Sequence, residues 1–156
     1  MVEEQAPPEP RTEVDRAHSL VKALRGVPSL EACDEETLLC IVGDSLNLVW
    51  PAAGRVFDVG APATGLFLVL SGSVHVLRED GSEVAVLDRG EYFGELSLLL
   101  GTAHQHAVET LEDTELMVVP KERFDSLLAD NPDLASEIKR RAEQRMAMNE
   151  GNSPTD

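Results

Sequence analysis

Short apolar runs separated by turn-forming residues fill the middle of the chain. These runs lie at residues 46–50, 55–59, 66–70, 73–78, 83–88, 107–111 and 115–119. Each run is rich in Val, Leu or Phe and has the length of an ordinary strand. Short strands at regular spacing are typical of sandwiches and barrels, so the pattern predicts a mainly β domain built as a jelly roll.

Helical patterns flank these strands. Residues 14–24 and 34–42 carry apolar residues at helical spacing, with Asp34 placed to cap the second helix and Gly43 placed to end it. The expected buried face of this second helix consists of Leu38, Leu39, Ile41 and Val42. After the strands, further helices are predicted at residues 121–129 and 133–148.

The last predicted helix has one narrow apolar stripe, formed by Leu134, Ile138, Ala142 and Met146. This stripe can pack on the helix's own domain, or it can pair with a second copy of the chain to form a homodimer. Residues 1–12 are acidic and proline-bearing, so we expect a disordered acidic tail there. The domain is expected to span residues 13–148 and to be followed by a polar tail at 149–156.

Composition and charge limit the partners. The chain has 156 residues, 42% of them hydrophobic, which suits one domain with a proper core. Its net charge of −16 argues against a nucleic-acid partner, because DNA binding depends on clustered Lys and Arg. One basic stretch near the C-terminus is interleaved with glutamates, and we interpret it as a solvated helix face. This stretch comprises Lys139, Arg140, Arg141 and Arg145.

Neither a membrane-spanning run nor a signal peptide is visible in the sequence. No apolar run approaches the length needed to cross a bilayer, and the N-terminus lacks basic and apolar regions in the order of a signal peptide. We therefore expect a cytoplasmic protein without membrane contact.

The segment from Tyr92 to Val108 reads YFGELSLLLGTAHQHAV and carries the candidate chemistry. Its apolar run at residues 97–100 is long enough for one or two helical turns that end at Gly101. A helix start behind a glycine presents backbone N–H groups, and here Glu95 lies beside them. This combination suits a phosphate and a sugar hydroxyl held together.

This segment resembles the phosphate-binding cassette of the cyclic nucleotide-binding domain family, which includes catabolite activator protein and the regulatory subunits of protein kinase A. The resemblance extends from about Leu24 to Met146 and includes the segments at residues 24–30, 51–57 and 66–74. It implies a double-stranded β-helix, or jelly roll, with flanking helices. It also implies cAMP or cGMP as a possible ligand, no other cofactor, and binding rather than catalysis.

The same resemblance implies a set of site residues. In the family, the glutamate at the position of Glu95 accepts a hydrogen bond from the ribose 2′-hydroxyl, and an arginine after the cassette helix pairs with the cyclic phosphate. His104 stands at the position of that arginine, and Ala107 stands where the family has a hydroxyl residue, so the cassette is degenerate. The implied ligand-binding residues are Phe93, Gly94, Glu95, Leu96, Ser97, His104, Gln105, His106 and Ala107.

His104 and His106 alternate along an extended segment and are expected to share a face. Three hypotheses remain open for them: phosphate donors that are protonated when an anion is bound, metal ligands, or polar residues at the mouth of a pocket that has lost its ligand. Because no Lys or Arg lies between Arg89 and Lys121, an anion in the cassette is expected to rely on backbone N–H groups and these histidines. An arginine provides a permanent charge and a planar fork, whereas histidine is mostly neutral at pH 7.

The residues lead to two functional hypotheses. In the first, the chain is a non-enzymatic, stand-alone regulatory domain that has lost or altered cAMP and cGMP binding and acts through contacts with an unidentified protein partner. In the second, it is a functional sensor of a cyclic nucleotide or a related anion, and it signals by moving its C-terminal helices.

Overall fold

Two antiparallel sheets form the body of the domain, and helices flank them. The computed structural model describes residues 13–27, 30–31 and 33–151, so the predicted tail at 1–12 and the final residues 152–156 lie outside the described residues. The helices are α1 (Glu13–Arg25), α2 (Glu35–Asp44), α3 (Glu95–Leu100), α4 (Lys121–Asp130) and α5 (Pro132–Gly151). The strands are β1 (Leu46–Trp50), β2 (Arg55–Phe57), β3 (Gly65–Ser71), β4 (Ser73–Leu77), β5 (Glu83–Asp88), β6 (Tyr92–Phe93), β7 (Ala107–Thr110) and β8 (Thr114–Pro120).

The strands pair in the order β1-β8-β3-β6 in one sheet and β2-β7-β4-β5 in the other. All pairs are antiparallel, and the predicted jelly roll is confirmed. Each predicted strand is present, with its ends shifted by at most two residues. The sequence pattern missed β6, which is only two residues long and pairs with Phe67 and Leu68 of β3. So short a strand contains no alternation that could reveal it.

Strand β3 separates the two parts of the hydrophobic core. Leu66 and Leu68 face the helices and pack in one cluster with Phe124 and other helix residues. Phe67 and Val69 point to the opposite face and pack between the two sheets. Because both faces are covered, the strand is apolar at nearly every position and does not alternate.

Helix α2 begins where the sequence predicts and ends slightly later. The Asp34 carboxylate accepts a hydrogen bond from the Thr37 N–H at 2.8 Å, which caps the helix, and the helix continues past Gly43 to Asp44. Leu38 and Ile41 are buried, but Leu39 is 38% exposed, so its predicted place in the core was wrong. Successive helical residues are rotated by about 100°, and adjacent apolar residues cannot all face one side.

Helix α5 packs on its own domain. Leu134, Ile138 and Ala142 are buried, and the first two belong to the cluster beneath the helices. Met146, the last residue of the predicted stripe, is 36% exposed. The three buried positions are therefore covered by the same chain. The helix ends at Gly151, three residues beyond the predicted end at 148.

No helix in the described part of the chain combines the length and the apolar character needed to cross a membrane.

Truncating Ile138 should loosen α5 from the domain. We expect Ile138→Ala to lower the free energy of unfolding by about 2–5 kcal/mol, because it leaves a cavity in a fully packed site. Met146→Ala, on the same helix, should change it by about 0.5 kcal/mol or less, because that side chain already contacts solvent. Urea denaturation followed by circular dichroism measures both values. Equal losses would contradict the docked position of α5.

Candidate ligand-binding cavity

A cavity of about 370 Å³, partly open to solvent, lies between the β2-β7-β4-β5 sheet, helix α3 and the segment that follows α3. Its apolar wall comes mainly from the strands and includes Phe57, Val76, Leu87, Phe93 and Val108. Ser97, Thr102, His104, Gln105 and His106 supply polar groups on the opposite side. A cavity of this size is within the range of small-molecule sites.

Two glycines set the bounds of α3 at the cavity wall. Gly94 precedes the helix with φ of 92°, and a Cβ at that position would lie 3.1 Å from the carbonyl oxygen of Gly65. Gly101 follows the helix with φ of 69° and donates its N–H to the Ser97 carbonyl. The predicted end at Gly101 is confirmed, whereas the helix starts two residues earlier than predicted, at Glu95.

The cavity brings together all of the sequence-predicted site residues except one. Residues 93–97 and 104–106 contribute to its lining. Ala107 is buried but lies outside that lining, because it is already part of β7 and pairs with Leu77 of β4. The next residue of β7, Val108, lines the cavity, and successive strand residues point to opposite faces of the sheet. A hydroxyl at position 107 would therefore point away from the cavity.

His104 is packed as a core residue. It is 5% exposed, and its ring stacks on Phe57 with a centroid distance of 3.6 Å and an interplanar angle of 5°. Its Nδ1 lies 3.1 Å from the Ser97 hydroxyl. The backbone is also fixed, because its N–H donates to Ala61 O and its carbonyl accepts from Gly60 N–H.

Burial lowers the pKa of His104, so the neutral ring is favoured in the folded protein. The pKa of His106 is also lowered, first by burial and then by the positive charge of Arg78. Both shifts oppose the hypothesis that these rings are protonated phosphate donors at neutral pH. The described residues contain no group of three or more His, Cys, Asp or Glu side chains placed to hold a metal ion.

Helix α5 places a cation in the cavity wall that the sequence analysis did not expect. Arg145 Nη1 donates to both carboxylate oxygens of Glu95, at 3.0 Å and 2.9 Å. The side chain of Glu95 is 2% exposed and that of Arg145 is 30% exposed. The guanidinium carbon also lies 5.0 Å from the centre of the Tyr92 ring, a cation–π distance.

The interpretation of Arg145 as part of a solvated helix face was therefore wrong. Arg140 and Arg141 do pair with Glu137 on their own helix, but Arg145 turns inward. One signal was available: Arg145 lies three residues after Ala142 of the apolar stripe and so shares its side of the helix. Its partner Glu95 is 50 residues away, which no local pattern reveals.

The environment of Glu95 is strongly dehydrated. Burial raises the pKa of its carboxyl group, and the charge of Arg145 opposes that rise without cancelling it. A buried carboxylate of this kind depends on its one cationic partner to stay ionised.

The jelly roll, the glycine-bounded helix α3 and the C-terminal helix that reaches the cavity agree with the resemblance seen in the sequence. Residues 48–131 match the cyclic nucleotide-binding domain family, and the chain belongs to that family.

Curated relatives are much longer than this chain. Lysophospholipase NTE1 of Kluyveromyces lactis is 34% identical over 101 residues, which is 60% of this chain and 7% of the relative. An uncharacterized NTE family protein of Mycobacterium bovis is 30% identical over 118 residues, which is 76% of this chain and 20% of the relative.

Solved structures share the fold. The regulatory subunit of a cAMP-independent protein kinase A from Trypanosoma brucei has a TM-score of 0.76 at 20% identity, over 83% of this chain and 47% of that chain. Catabolite activator protein of Thermus thermophilus has a TM-score of 0.68 at 27% identity, over 77% of this chain and 58% of that chain. The corresponding kinase subunit from Trypanosoma cruzi, bound to guanosine, has a TM-score of 0.73 at 20% identity, over 83% and 46%.

The Glu95–Arg145 pair should behave as a coupled unit. Arg145→Met removes the charge and leaves Glu95 buried and unpaired, so we expect a loss of about 2 kcal/mol or more at pH 7.5. The loss should shrink at pH 5.5, because an unpaired buried carboxyl takes up a proton. Glu95→Gln combined with Arg145→Met should be closer to wild type than Arg145→Met alone. Urea denaturation of the three proteins measures the coupling, and simple additivity would contradict it.

His104 should make the domain sensitive to mild acid. Because burial lowers its pKa in the folded state, the unfolded chain takes up the proton first as the pH falls below about 6.5. The stabilising contribution is therefore complete above that pH and is lost below it. We expect the difference in unfolding free energy between wild type and His104→Asn to decrease from pH 7.5 to pH 5.5. A difference that stays constant or grows on acidification would refute this assignment.

Proposed function

We propose that this chain is a regulatory domain that has lost the family's recognition of the cyclic phosphate and acts through protein contacts. The single observation that carries the proposal is the state of His104. At the position where the family has a phosphate-binding arginine, this chain has a buried ring that stacks on Phe57 and bonds to Ser97. Such a ring supplies no permanent charge to an anion.

The charge balance of the cavity supports the same proposal. Arg145 is the only Lys or Arg in the cavity lining within the described residues, and its Nη1 already donates to Glu95. A phosphate entering the cavity would lose its hydration and would have to compete with Glu95 for this cation. Moving an anion out of water without a new partner is costly.

The relatives suggest the kind of partner. In the NTE-family proteins that resemble it, the matched stretch is a small part of a longer chain, and one of these relatives is named a lysophospholipase. We propose that the domain regulates a hydrolase of that type, either within a longer chain or as a separate partner. Helix α5 is the candidate for the output, because it alone among the helices after the sheets contributes to the cavity lining.

A second candidate function is a receptor for an uncharged ligand. The cavity remains open at about 370 Å³, and its wall is largely apolar. Glu95 and Arg145 pair with each other, burial disfavours a charge on His104, and the exposed acidic residue Glu91 also lines the cavity, so the lining favours a neutral molecule over an anion. The trypanosomal neighbour bound to guanosine provides a chemical precedent on the same fold.

Calorimetric titration separates these functions. At pH 7.5 we expect wild type to bind neither cAMP nor cGMP with a submicromolar Kd, and His104→Arg to bind at least one of them about tenfold tighter than wild type or better. His106→Arg, which adds the same charge two residues away, is the matched control and should gain less. A submicromolar Kd for either nucleotide in wild type would refute the loss of phosphate recognition.

A further inference from the structure

The contact between Arg145 and Glu95 forms part of the cavity wall, and both residues belong to the same chain. Glu95 is the acidic group in the depth of the wall, and Arg145 contributes to the lining beside it. One guanidinium nitrogen of Arg145 donates to both carboxylate oxygens of Glu95. The Glu95 side chain is only 2% exposed, so a ligand that donates hydrogen bonds to these two oxygens competes with Arg145 for them.

We propose that Arg145 is an internal ligand of this cavity, and that a molecule donating hydrogen bonds to Glu95 must displace it and release the C-terminal end of α5. The proposal rests on the second candidate function, in which the cavity binds a small molecule. It goes further, because it names the group against which that molecule competes and the segment that responds.

The position of Arg145 along α5 determines which part of the helix responds. Leu134, Ile138 and Ala142 hold the first part of the helix through apolar contacts. Beyond Ala142, the inward contacts of the described side chains come from Arg145, while Met146 is exposed. Displacing Arg145 therefore releases the last turns of α5 and leaves the apolar part docked.

The same geometry defines the chemical class of the ligand. Once Arg145 leaves, Glu95 stays ionised only if the ligand supplies hydrogen-bond donors in place of the guanidinium, and a second negative charge beside it is unfavourable. The remaining lining offers apolar surface from Val84, Val86 and Leu100 near the cavity mouth. The ligand is thus an uncharged molecule with an apolar part and adjacent N–H or O–H donors. Unphosphorylated nucleosides have this chemistry, and their phosphates do not.

Binding of nucleosides to wild type and to Arg145→Met tests the competition. The probes are guanosine and adenosine, with cAMP as the anionic comparison, titrated at pH 7.5. If Arg145 occupies Glu95 about ten times more often than it leaves it, its removal should tighten nucleoside binding about tenfold. Affinity for cAMP should not improve. Arg140→Met, which removes a surface arginine that pairs with Glu137, is the matched control and should bind like wild type.

Hydrogen exchange provides the second readout. In wild type, a saturating nucleoside should increase amide exchange at residues 143–151 and leave the docked part of α5 protected. Arg145→Lys keeps a cation but loses the planar guanidinium, and it replaces Arg145→Met if that variant does not fold. Its affinity for nucleosides should be higher than that of wild type and lower than that expected for Arg145→Met.

Three results would overturn the proposal. The first is weaker or unchanged nucleoside binding by the Arg145 variant, which would make Arg145 part of the ligand site or a bystander. The second is slower exchange of residues 143–151 in the presence of nucleoside. The third is the absence of nucleoside binding to both proteins at millimolar concentration. Submicromolar cAMP binding by wild type, in contrast, would refute the loss of phosphate recognition proposed above and would leave the competition for Glu95 to be decided by the nucleoside data.

Discussion

The buried carboxylate of Glu95 constrains both the cavity and the position of the C-terminal helix. An ionised carboxyl group that is 2% exposed needs a partner, because transfer of a bare charge into the protein interior is very costly. Arg145 is that partner, and this contact requires α5 to pass beside Glu95 at the start of α3. The path of the last helix is thus set from inside the cavity as well as by its own apolar face. The Tyr92 ring below the guanidinium adds a second attraction at the same place.

The affinity of this cavity for charged ligands depends on the states of His104 and Arg145. A neutral His104 removes a positive charge from the wall, and Arg145 brings one from a distant helix, but the latter is already paired with Glu95. An unpaired cation would attract anions, whereas a paired one offers little to them. The Nδ1 atom of His104 also lies within hydrogen-bond distance of the Ser97 hydroxyl, and the face of its ring stacks on Phe57. The ring therefore contacts the protein on two sides. In the function proposed above, a neutral His104 and a paired Arg145 together favour neutral ligands.

The sequence could predict the strands and the cassette because both are local. The runs at 46–50 and 83–88 have the composition of strands and match β1 and β5 at both ends, and Gly101 ends α3 as its position indicated. Errors occurred where the outcome depends on distant contacts. Leu39 is as apolar as Leu38, and only the direction of the neighbouring helices decides which one is buried. Arg145 looks like its surface neighbours Arg140 and Arg141 until Glu95, 50 residues earlier, is placed beside it by the fold. His104 could be aligned from the sequence, but the stacking with Phe57 and the resulting shift of its pKa depend on how β2 and the segment after α3 meet.

The two ways in which α5 is held differ in what can loosen them. Burial of Leu134, Ile138 and Ala142 depends on apolar area, which neither pH nor a cavity ligand changes. The contact of Arg145 depends on a charged acceptor inside the cavity, so protonation of Glu95 or occupation of Glu95 by another donor weakens it. The helix therefore has a first part that stays docked and a last part whose docking depends on the state of Glu95. The boundary lies between Ala142 and Arg145. In the regulatory function proposed above, this division would let a partner sense the state of the cavity through the end of one helix while the fold itself stays intact.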